Sequence, residues 1–460
     1  KKSPGKSEMT SEIEYTGYLS PDVLKSLPVA TTVGNHDADN ANYTYHFNTP
    51  NSSDLGSNGV VGGDYYFTYG NTLFMMLNTQ DTNAAEHKQF MEQAVATNPN
   101  CTWRVVTLHQ DIYGSAEHSN EPEITNLRYT LVPYFEANDV DVVLTGHDHA
   151  YSRTHILEGG HKTVEYTDDE FDAELDKDMD AGENPATRYE APANISTDSK
   201  EPADVAYLNY LNAVMDKDAI EDTEKGETVV NPDGILYMTA NSSSGSKYYD
   251  LVPRMQSYIA NRWQEDVPTY SVIDVTDNTF TINTYRTDND QKIDETFTIK
   301  KGVTEDIKSA SVGKVKNQIY TGKQIQPALK VTLNGKTLKA GKDYTVTYTD
   351  NKNTGLAKAT INGIGKYTGT QTVTFKIVPK KAVLKTVKAG KSGTATVTIG
   401  KAGGKVSGYA IQVSTDSSFK KVTTYRTAKT TYALKNLSKG KTYYVRVKAF
   451  TKVSEKNVYG

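Results

Sequence analysis

The stretch VVLTGHDHAYSRT, residues 142–154, joins a short apolar run to a loop that contains two histidines. The run VVL predicts a buried β-strand, and Gly146 marks the point where the strand ends. His147 and His149 are separated by a single residue, and we expect the pair to be divided between two metal ions. The stretch therefore predicts a strand followed by a loop that divides its imidazoles between two ions.

Two earlier segments have the same form. GNHD, residues 34–37, follows the apolar run PVATTV (28–33), and His109 closes the run RVVTLH (104–109). In open α/β sheets, ligands bind outside the carboxyl ends of the strands, so the three loops can converge on one crevice.

The donor types of these loops favour a metal site. Imidazole nitrogen and amide oxygen are good ligands for zinc, iron or manganese. Taken alone, GNHD has a structural alternative as a turn, and a histidine that closes a strand is often a satisfied structural histidine. The order and spacing of the three segments favour chemistry over these alternatives.

Residues 1–300 alternate strand-like and helix-like patterns. Near-continuous apolar strands between helices predict an α/β layered sheet that is buried on both faces. An acidic insertion at 156–232, poor in large apolar residues, is expected to lie on the surface and to bury little. Besides those named, the predicted elements are strands at 65–69, 73–78, 140–146 and 234–240, alternating strands over 270–287, and helices over 84–97 and 124–137.

The rest of the chain has a different character. From residue 303 onward, short alternating runs separated by Gly and Asn turns predict two all-β sandwich domains, 303–379 and 380–460. Residues 301–460 contain 31 Lys and Arg against 6 Asp and Glu, whereas residues 1–300 contain 20 against 50. This asymmetry indicates separate domains with different roles.

Composition excludes several classes of protein and site. Cys101 is the single cysteine, so the sequence allows neither an intramolecular disulfide nor a cysteine-based zinc site. No window resembles a membrane span. Residues 301–460 form the basic half of the chain. Their lysines alternate along strands, which favours solvated strand faces over a nucleic-acid site.

Residues 1–155 resemble the downstream part of a calcineurin-like metallophosphoesterase of the purple-acid-phosphatase-like branch. The matching motifs are GNHD, VVTLHQDIY and GHDHAYSRT. NSSSGSKYYDL (241–251) and TYSVIDVTDNTFTINTYRT (269–287) resemble the segments that close the same domain. The resemblance implies a layered sheet sandwich flanked by helices, and hydrolysis of a phosphoric ester by a metal-bound hydroxide that attacks phosphorus.

The resemblance also implies roles for individual residues. Two divalent or trivalent ions (Fe, Zn or Mn) are expected, one bound by Asn35, His109 and His147 and the other by His149. His36 would contact the phosphate or protonate the leaving group, and Asp37 would orient His36. His118 matches a substrate-loop histidine of the family, with an exposed loop residue as the alternative.

The sequence departs from the family in one respect. Two upstream motifs that supply aspartate ligands should precede GNHD, and residues 1–33 contain nothing of the kind. We therefore expect a domain that lacks its first strands and holds only half of the metal site. The alternative function is a non-catalytic cell-surface adhesion or wall-binding protein with a degenerate phosphatase scaffold.

The basic half resembles known surface modules. Residues 303–379 resemble the Ig-like repeats of Gram-positive bacterial surface proteins, and 380–460 resemble a fibronectin type III domain that stops short. In LSKGKTYYVRVKAF, Tyr443 matches the tyrosine corner of that domain, although the tryptophan expected on an early strand is absent. The resemblance implies a secreted or cell-surface protein whose sandwiches act as spacers or bind cell-wall polymer or glycan.

Overall fold

The computed structural model describes residues 5, 7–57, 61–160, 166–180, 196–216, 219–221, 228–252, 255–391 and 393–460. The chain folds into two compact units, Lys1–Gly302 and Val303–Gly460, here called the N-terminal and C-terminal units. Within the described ranges, no helix is long and apolar enough to cross a membrane.

The N-terminal unit contains both helices and strands. Its helices are α1 (Glu8–Leu19), α2 (Asn42–His46), α3 (Ala84–Thr97), α4 (Pro122–Ala137), α5 (Asp168–Asp180) and α6 (Pro202–Met215). Its strands are β1 (Tyr65–Tyr69), β2 (Thr72–Met76), β3 (Trp103–Thr107), β4 (Val142–Thr145), β5 (Tyr151–Leu157), β6 (Thr228–Val230), β7 (Ile235–Thr239), β8 (Ile259–Trp263), β9 (Thr269–Val275), β10 (Thr279–Arg286) and β11 (Phe297–Lys300).

Two sheets form the layers of this unit. A seven-stranded mixed sheet has the order β1-β2-β3-β4-β7-β5-β8, and a four-stranded sheet has the order β6-β11-β10-β9. Strands β2, β3, β4 and β7 run parallel to one another at the centre of the larger sheet. Their carboxyl ends therefore lie along one edge.

Successive residues of the central strands point into two different cores. Val106 and Val143 pack against α3 and α4 on one face of the large sheet. Val105 and Val142 pack on the other face against the small sheet. This arrangement confirms the predicted layered α/β fold, and the helix predicted over residues 84–97 has the observed bounds.

The strand predicted at residues 28–33 is wrong. Within the described part of the chain, PVATTV has no strand partner. The carbonyl of Thr31 instead accepts hydrogen bonds from the hydroxyls of Tyr43 and Tyr65, and Val29 is 41 % exposed. An apolar run becomes a strand only where a neighbouring backbone satisfies its amides and carbonyls. GNHD therefore follows an irregular segment.

Part of the acidic insertion folds as a helix pair. Phe171 and Leu175 of α5 are buried against Tyr210 and Val214 of α6. The expectation that this segment buries little is wrong for α5, because these two apolar side chains are four residues apart and share a face that the surrounding carboxylates leave free. The predicted surface stretches 161–165, 181–195, 217–218 and 222–227 lie outside the described residues.

A buried arginine ties the insertion to the loop that follows β3. The Arg128 guanidinium donates to the carbonyl of Ala213 in α6 at 3.2 Å and to the carbonyl of Ile112. It also lies over the ring of Tyr113, 4.6 Å from the centroid. Since a buried cation needs such acceptors, Arg128 fixes α6 relative to this loop.

The C-terminal unit contains β-strands and short turns. Its strands are β12 (Glu305–Asp306), β13 (Ser311–Val312), β14 (Gln318–Ile319), β15 (Val331–Leu333), β16 (Lys336–Thr337), β17 (Tyr344–Thr349), β18 (Gly355–Gly363), β19 (Tyr367–Thr368), β20 (Thr370–Val378), β21 (Val383–Ala389), β22 (Ala395–Gly400), β23 (Gly408–Ser414), β24 (Thr423–Thr427), β25 (Thr431–Leu434), β26 (Tyr444–Val453) and β27 (Lys456–Tyr459).

These strands form two sandwiches with separate cores. In the first, the sheets β14-β20-β18-β17 and β13-β15-β16 enclose Val331 and Ile361. In the second, the sheets β21-β22-β25 and β24-β23-β26-β27 enclose Val397 and Ile411. The Tyr443 hydroxyl accepts a hydrogen bond from the Ser438 amide at 2.9 Å, the contact expected of a tyrosine corner. The unit confirms the predicted all-β sandwich class.

A buried ion pair beside β2 generates a prediction about stability. His87 Nδ1 lies 2.8 Å from Asp64 Oδ2, and both side chains are fully buried. Replacing His87 with Ala leaves the Asp64 carboxylate buried without its partner, which should lower the free energy of unfolding by about 3–5 kcal/mol. Urea denaturation of the N-terminal unit measures this change.

The neighbouring residue supplies the control for that experiment. Lys88 pairs with Glu92 on the exposed face of α3, so Lys88→Ala should cost less than about 1 kcal/mol. Equal effects of the two substitutions would contradict the role of the buried pair.

Candidate metal centre

Three donor atoms from separate loops meet at the carboxyl end of the large sheet. His109 follows β3 and His147 follows β4, and the amide of Gly146 donates to the carbonyl of His109 at 3.0 Å, which joins the two loops. His109 Nε2 lies 3.0 Å from Asn35 Oδ1 and 3.0 Å from His147 Nδ1. The structure therefore brings together the three residues predicted to share an ion.

These distances suit a metal ion. Two ligand atoms that each lie ~2.1 Å from one ion, at a right angle, are about 3.0 Å apart. Amide oxygen and imidazole nitrogen are also the donors that zinc, iron and manganese accept. The two distances from His109 Nε2 are therefore compatible with one ion shared by Asn35, His109 and His147.

Gly34 makes room for the ring of His109. A Cβ at this position would lie 2.9 Å from His109 Cε1 and 3.2 Å from Asp37 Oδ2. The close approach of backbone and ring explains why a residue without a side chain precedes Asn35.

The loop of His147 has a strained backbone and a buried carboxylate. His147 has a φ of 69°, in the left-handed region. The Asp148 carboxylate accepts from the amides of His118 and Ser119 at 3.1 and 3.0 Å and from the Ser119 hydroxyl at 2.7 Å. Asp148 therefore links the metal-ligand loop to the loop that carries His118.

A second buried carboxylate supports this link. Asp111 Oδ2 lies 2.5 Å from the hydroxyl of Ser119. Burial, and then the nearby charge of Asp148, raises the pKa of Asp111 well above its ordinary value. A raised pKa favours the uncharged form of Asp111, which allows two carboxyl groups to share one buried pocket.

His149 makes contacts that differ from those of the first three donors. Its Nδ1 lies 2.8 Å from the carbonyl of Lys247, so Nδ1 carries the proton and Nε2 is left as the ligand atom. The ring of Tyr249 lies 5.3 Å from that of His149 and 4.7 Å from that of His118, between centroids. The expected division of His147 and His149 between two metal ions stays a prediction.

His118 belongs to the same cluster. Its ring lies 4.8 Å from the ring of His147, and its Nδ1 donates to the Glu121 carboxylate at 2.7 Å. The alternative of an exposed loop residue does not describe this side chain, which is 22 % exposed.

His36 and Asp37 lie on the loop beside Asn35. The His36 side chain is 62 % exposed, and its nearest carboxylate in an ion pair is that of Asp39, at 4.0 Å. Asp37 accepts instead from the hydroxyl of Tyr15 at 2.8 Å and from the amide of Gly34 at 3.0 Å. Asp37 thus shapes its own loop, and the expected orientation of His36 by Asp37 does not match these contacts.

The histidines of the site differ in the direction in which their pKa is shifted. Burial, and then repulsion from neighbouring imidazoles, lowers the pKa of His109 to about 3. Burial also lowers the pKa of His147 and of His149. The hydrogen bond to Glu121 raises the pKa of His118 to about 9. Near neutral pH the three ligand candidates are uncharged, as metal binding requires, and His118 is a cation.

Several residues of the site were not predicted from the sequence. Asp148, Glu121 and Tyr249 act on the predicted histidines through contacts described above, and Tyr15 holds Asp37. Asp148 lies between two predicted ligands in the sequence, and its position and acidic side chain are the only local features that could have indicated a role in the site. Glu121 and Tyr249 depend on how distant segments meet, which no spacing rule reveals.

A separate cluster of three carboxylates contains neither imidazole nor amide donors. Ligand atoms of Glu158, Glu221 and Asp233 lie within 4.8 Å of one another at the base of the insertion. The Glu221 carboxylate accepts from the backbone amides of Asp233 and Gly234, so it is already bound by the backbone.

Comparisons with known proteins agree with the two kinds of unit. Residues 8–151 match the family model of the calcineurin-like phosphoesterases, and residues 384–458 match that of the fibronectin type III domain. Two uncharacterized proteins of Mycobacterium tuberculosis, from strains CDC 1551 / Oshkosh and ATCC 25618 / H37Rv, are each 26 % identical over 156 residues. The match covers 29 % of this chain and 29 % of each relative, so the chain spans less than a third of their length.

Parts of the chain are also similar to solved structures. The purple acid phosphatase PPD1 from yellow lupin (Lupinus luteus) seeds is 14 % identical, with 52 % of this chain and 32 % of that chain covered and a TM-score of 0.33. The structure of PhoD is 10 % identical, with 50 % and 44 % covered and a TM-score of 0.26. A segment of two fibronectin type III domains from chicken tenascin is 12 % identical, with 42 % and 95 % covered and a TM-score of 0.18.

The close packing at Gly34 generates a prediction about metal affinity. Gly34→Ala should displace the His109 ring and weaken binding of Zn²⁺ or Co²⁺ by about 10–100-fold, as loss of a support behind a metal ligand does elsewhere. Calorimetric titration of the metal-free chain measures the change. Gly17→Ala is the matched control, because a Cβ there meets nothing within 4 Å. Unchanged affinity in Gly34→Ala would count against the proposed ligand set.

Proposed function

We propose that this chain, whose N-terminal unit contains a calcineurin-like metallophosphoesterase domain, hydrolyses phosphoric esters with the help of a metal ion held by Asn35, His109 and His147. The observation that carries this proposal is the convergence of the three donor atoms, with His109 Nε2 at 3.0 Å from each of the other two. A scaffold that had lost its function would not need to preserve this spacing.

The charges around the site favour an anionic substrate. An ion bound by the three donors supplies Lewis-acid charge beside the phosphate and a nucleophile near neutral pH. His118 adds a positive charge next to His147, and its Nδ1–H stays on the Glu121 carboxylate. The ring of Tyr249 packs edge-on against that of His118, with 4.7 Å between the centroids.

His36 is the residue that we assign to the leaving group. Its side chain is exposed at the same end of the sheet and next in sequence to Asn35. An imidazole that solvent can reach can take up a proton near neutral pH and pass it to a departing oxygen. In this proposal His36 acts without help from Asp37, whose contacts are with Tyr15 and Gly34.

The described residues support one ion. His149 offers Nε2 to a second ion, but among the described residues no set of three His, Cys, Asp or Glu ligand atoms assembles around it. The dinuclear centre implied by the family resemblance, with Fe, Zn or Mn, therefore stays a prediction. The expectation that this chain holds only half of the metal site also stays a prediction, as does the identity of the metal.

The rival function is a non-catalytic surface protein with a phosphatase scaffold. The sandwiches of the C-terminal unit are compatible with that function, and with a secreted or cell-surface location of the Gram-positive type. The non-catalytic function and the secreted or cell-surface location remain predictions from the sequence. We favour the enzyme because the donor atoms, the charged His118 and the exposed His36 lie together.

Metal titration tests the ligand set. The metal-free chain should bind one Mn²⁺, Zn²⁺ or Co²⁺ ion, and His147→Ala should weaken that binding at least about tenfold. His46→Gln is the control, because His46 pairs with Glu12 instead. Two tightly held ions per chain would contradict the single site, and unchanged binding in His147→Ala would contradict the ligand assignment.

Activity is tested on the metal-loaded chain. Hydrolysis of an aryl phosphate should be abolished by His147→Ala and retained in His46→Gln. If the wild-type chain binds metal but hydrolyses neither aryl phosphate monoesters nor diesters, the scaffold function is favoured.

The Asp148 link generates a prediction about substrate binding. Asp148→Asn removes one acceptor of the hydrogen bonds from the His118 loop, so KM for an aryl phosphate should rise about tenfold or more while kcat changes less. Metal affinity should stay within about threefold, because the ligand atoms themselves remain. Asp139→Asn, at a side chain that is 87 % exposed, is the matched control. A loss of metal affinity as large as the rise in KM would assign Asp148 to the metal site alone.

A further inference from the structure

A groove runs along one open edge of the second sandwich of the C-terminal unit. It lies between β24, at the edge of one sheet, and β25, at the edge of the other, and its volume is about 850 Å³. This volume is within the range of ligand sites, roughly 300–1,000 Å³. The groove lies in the sandwich that matches the fibronectin type III model.

Aromatic rings line the groove. Tyr425 of β24 and Tyr432 of β25 have ring centroids 5.5 Å apart, and both rings are half-buried against the core. Within the described residues, the hydroxyls of these two tyrosines have no hydrogen-bond partner. Tyr443 differs, because its hydroxyl is used by the Ser438 amide. Two rings and two free hydroxyls are therefore available to a ligand.

Cations and neutral polar groups complete the lining. Lys421 and Lys435 lie along the groove with Thr415, Thr423 and Asn436. None of these five side chains has a hydrogen-bond or ion-pair partner in the described part of the chain. The groove thus offers positive charge, hydroxyl and amide groups beside an apolar face.

The positive charge of the fibronectin-type sandwich is not balanced by its own carboxylates. Residues 384–458 contain 16 Lys and Arg against Asp416 and Glu455. Among the described residues of this sandwich, no lysine or arginine forms an ion pair with Asp416 or Glu455. A surface with this balance attracts polyanions, an attraction that salt screens.

We propose that this groove binds an anionic polysaccharide. Sugar rings present apolar faces that stack on aromatic rings such as Tyr425 and Tyr432, and their hydroxyls match Thr415, Thr423 and Asn436. The acidic substituents of the polymer pair with Lys421 and Lys435. Single-stranded nucleic acid is the less favoured ligand, because the groove holds only two cations while nucleic-acid grooves track a charged backbone with many.

The test uses the full 460-residue chain and polygalacturonate as the probe. Fully methyl-esterified polygalacturonate is the matched neutral ligand, since it has the same sugar chain without the charge. We expect binding of the acidic polymer that weakens with added salt, and at least about tenfold weaker binding of the ester. Calorimetry or affinity electrophoresis measures both.

Paired variants locate the binding site. Lys421→Gln with Lys435→Gln should lower the affinity about tenfold, whereas Lys388→Gln with Lys448→Gln removes the same charge from exposed positions outside the groove and should have little effect. Tyr432→Ser should weaken binding, and Tyr432→Phe should preserve it. Tyr444→Ser, at a tyrosine that is 40 % exposed outside the groove, is the aromatic control.

Three results would overturn the proposal. The first is no binding of polygalacturonate by the wild-type chain. The second is an equal loss in both lysine pairs, which would indicate diffuse charge attraction without a site. The third is tighter binding of a thymidine oligonucleotide with the same dependence on Lys421 and Lys435, which would assign the groove to nucleic acid.

Discussion

The pairing of β3 with β4 is the interaction on which the rest of the site depends. The two strands are parallel, with Val105 opposite Val142, and the hydrogen bond from the Gly146 amide to the His109 carbonyl continues that pairing into the loops. Because the side-chain period of a strand is two, a slip of one residue would turn the side chains of one strand to the opposite face. The apolar packing of these strands therefore sets the 3.0 Å distance between His109 and His147.

The same loops place neutral and charged imidazoles side by side. Burial keeps His109 and His147 uncharged, whereas Glu121 keeps His118 protonated. The positive charge of His118 in turn lowers the pKa of His147 further, which preserves the lone pair that an ion needs. Asp148 maintains this contact through its bonds to the His118 loop. One carboxylate thus joins the loop that carries His147 to the loop that carries the cationic His118.

The sequence predicts what local patterns determine, and much of the site falls in that class. The helix over 84–97 and the positions of His109 and His147 follow from periodicity and from strand ends. The strand predicted at PVATTV is wrong because a strand needs a neighbouring strand to pair with. The composition of a segment does not reveal whether such a partner is present. Glu121 and Tyr249 could not be predicted, because their roles arise from contacts between segments far apart in sequence. The burial of Phe171 was hidden by the acidic residues around it.

The two units differ in the charge that they present to an anion. Residues 1–300 carry 50 Asp and Glu against 20 Lys and Arg, a balance that repels a phosphoric ester at long range. Attraction of the proposed ester to the candidate site must therefore be local, from His118 and from the ion that we propose the neutral donors hold. At short range and partly buried, such charges are screened little by salt. The opposite balance of residues 301–460 acts over longer distances and suits capture of a polymer. Recognition of the small ester and of the polyanion thus need not compete, because they depend on charges of different range.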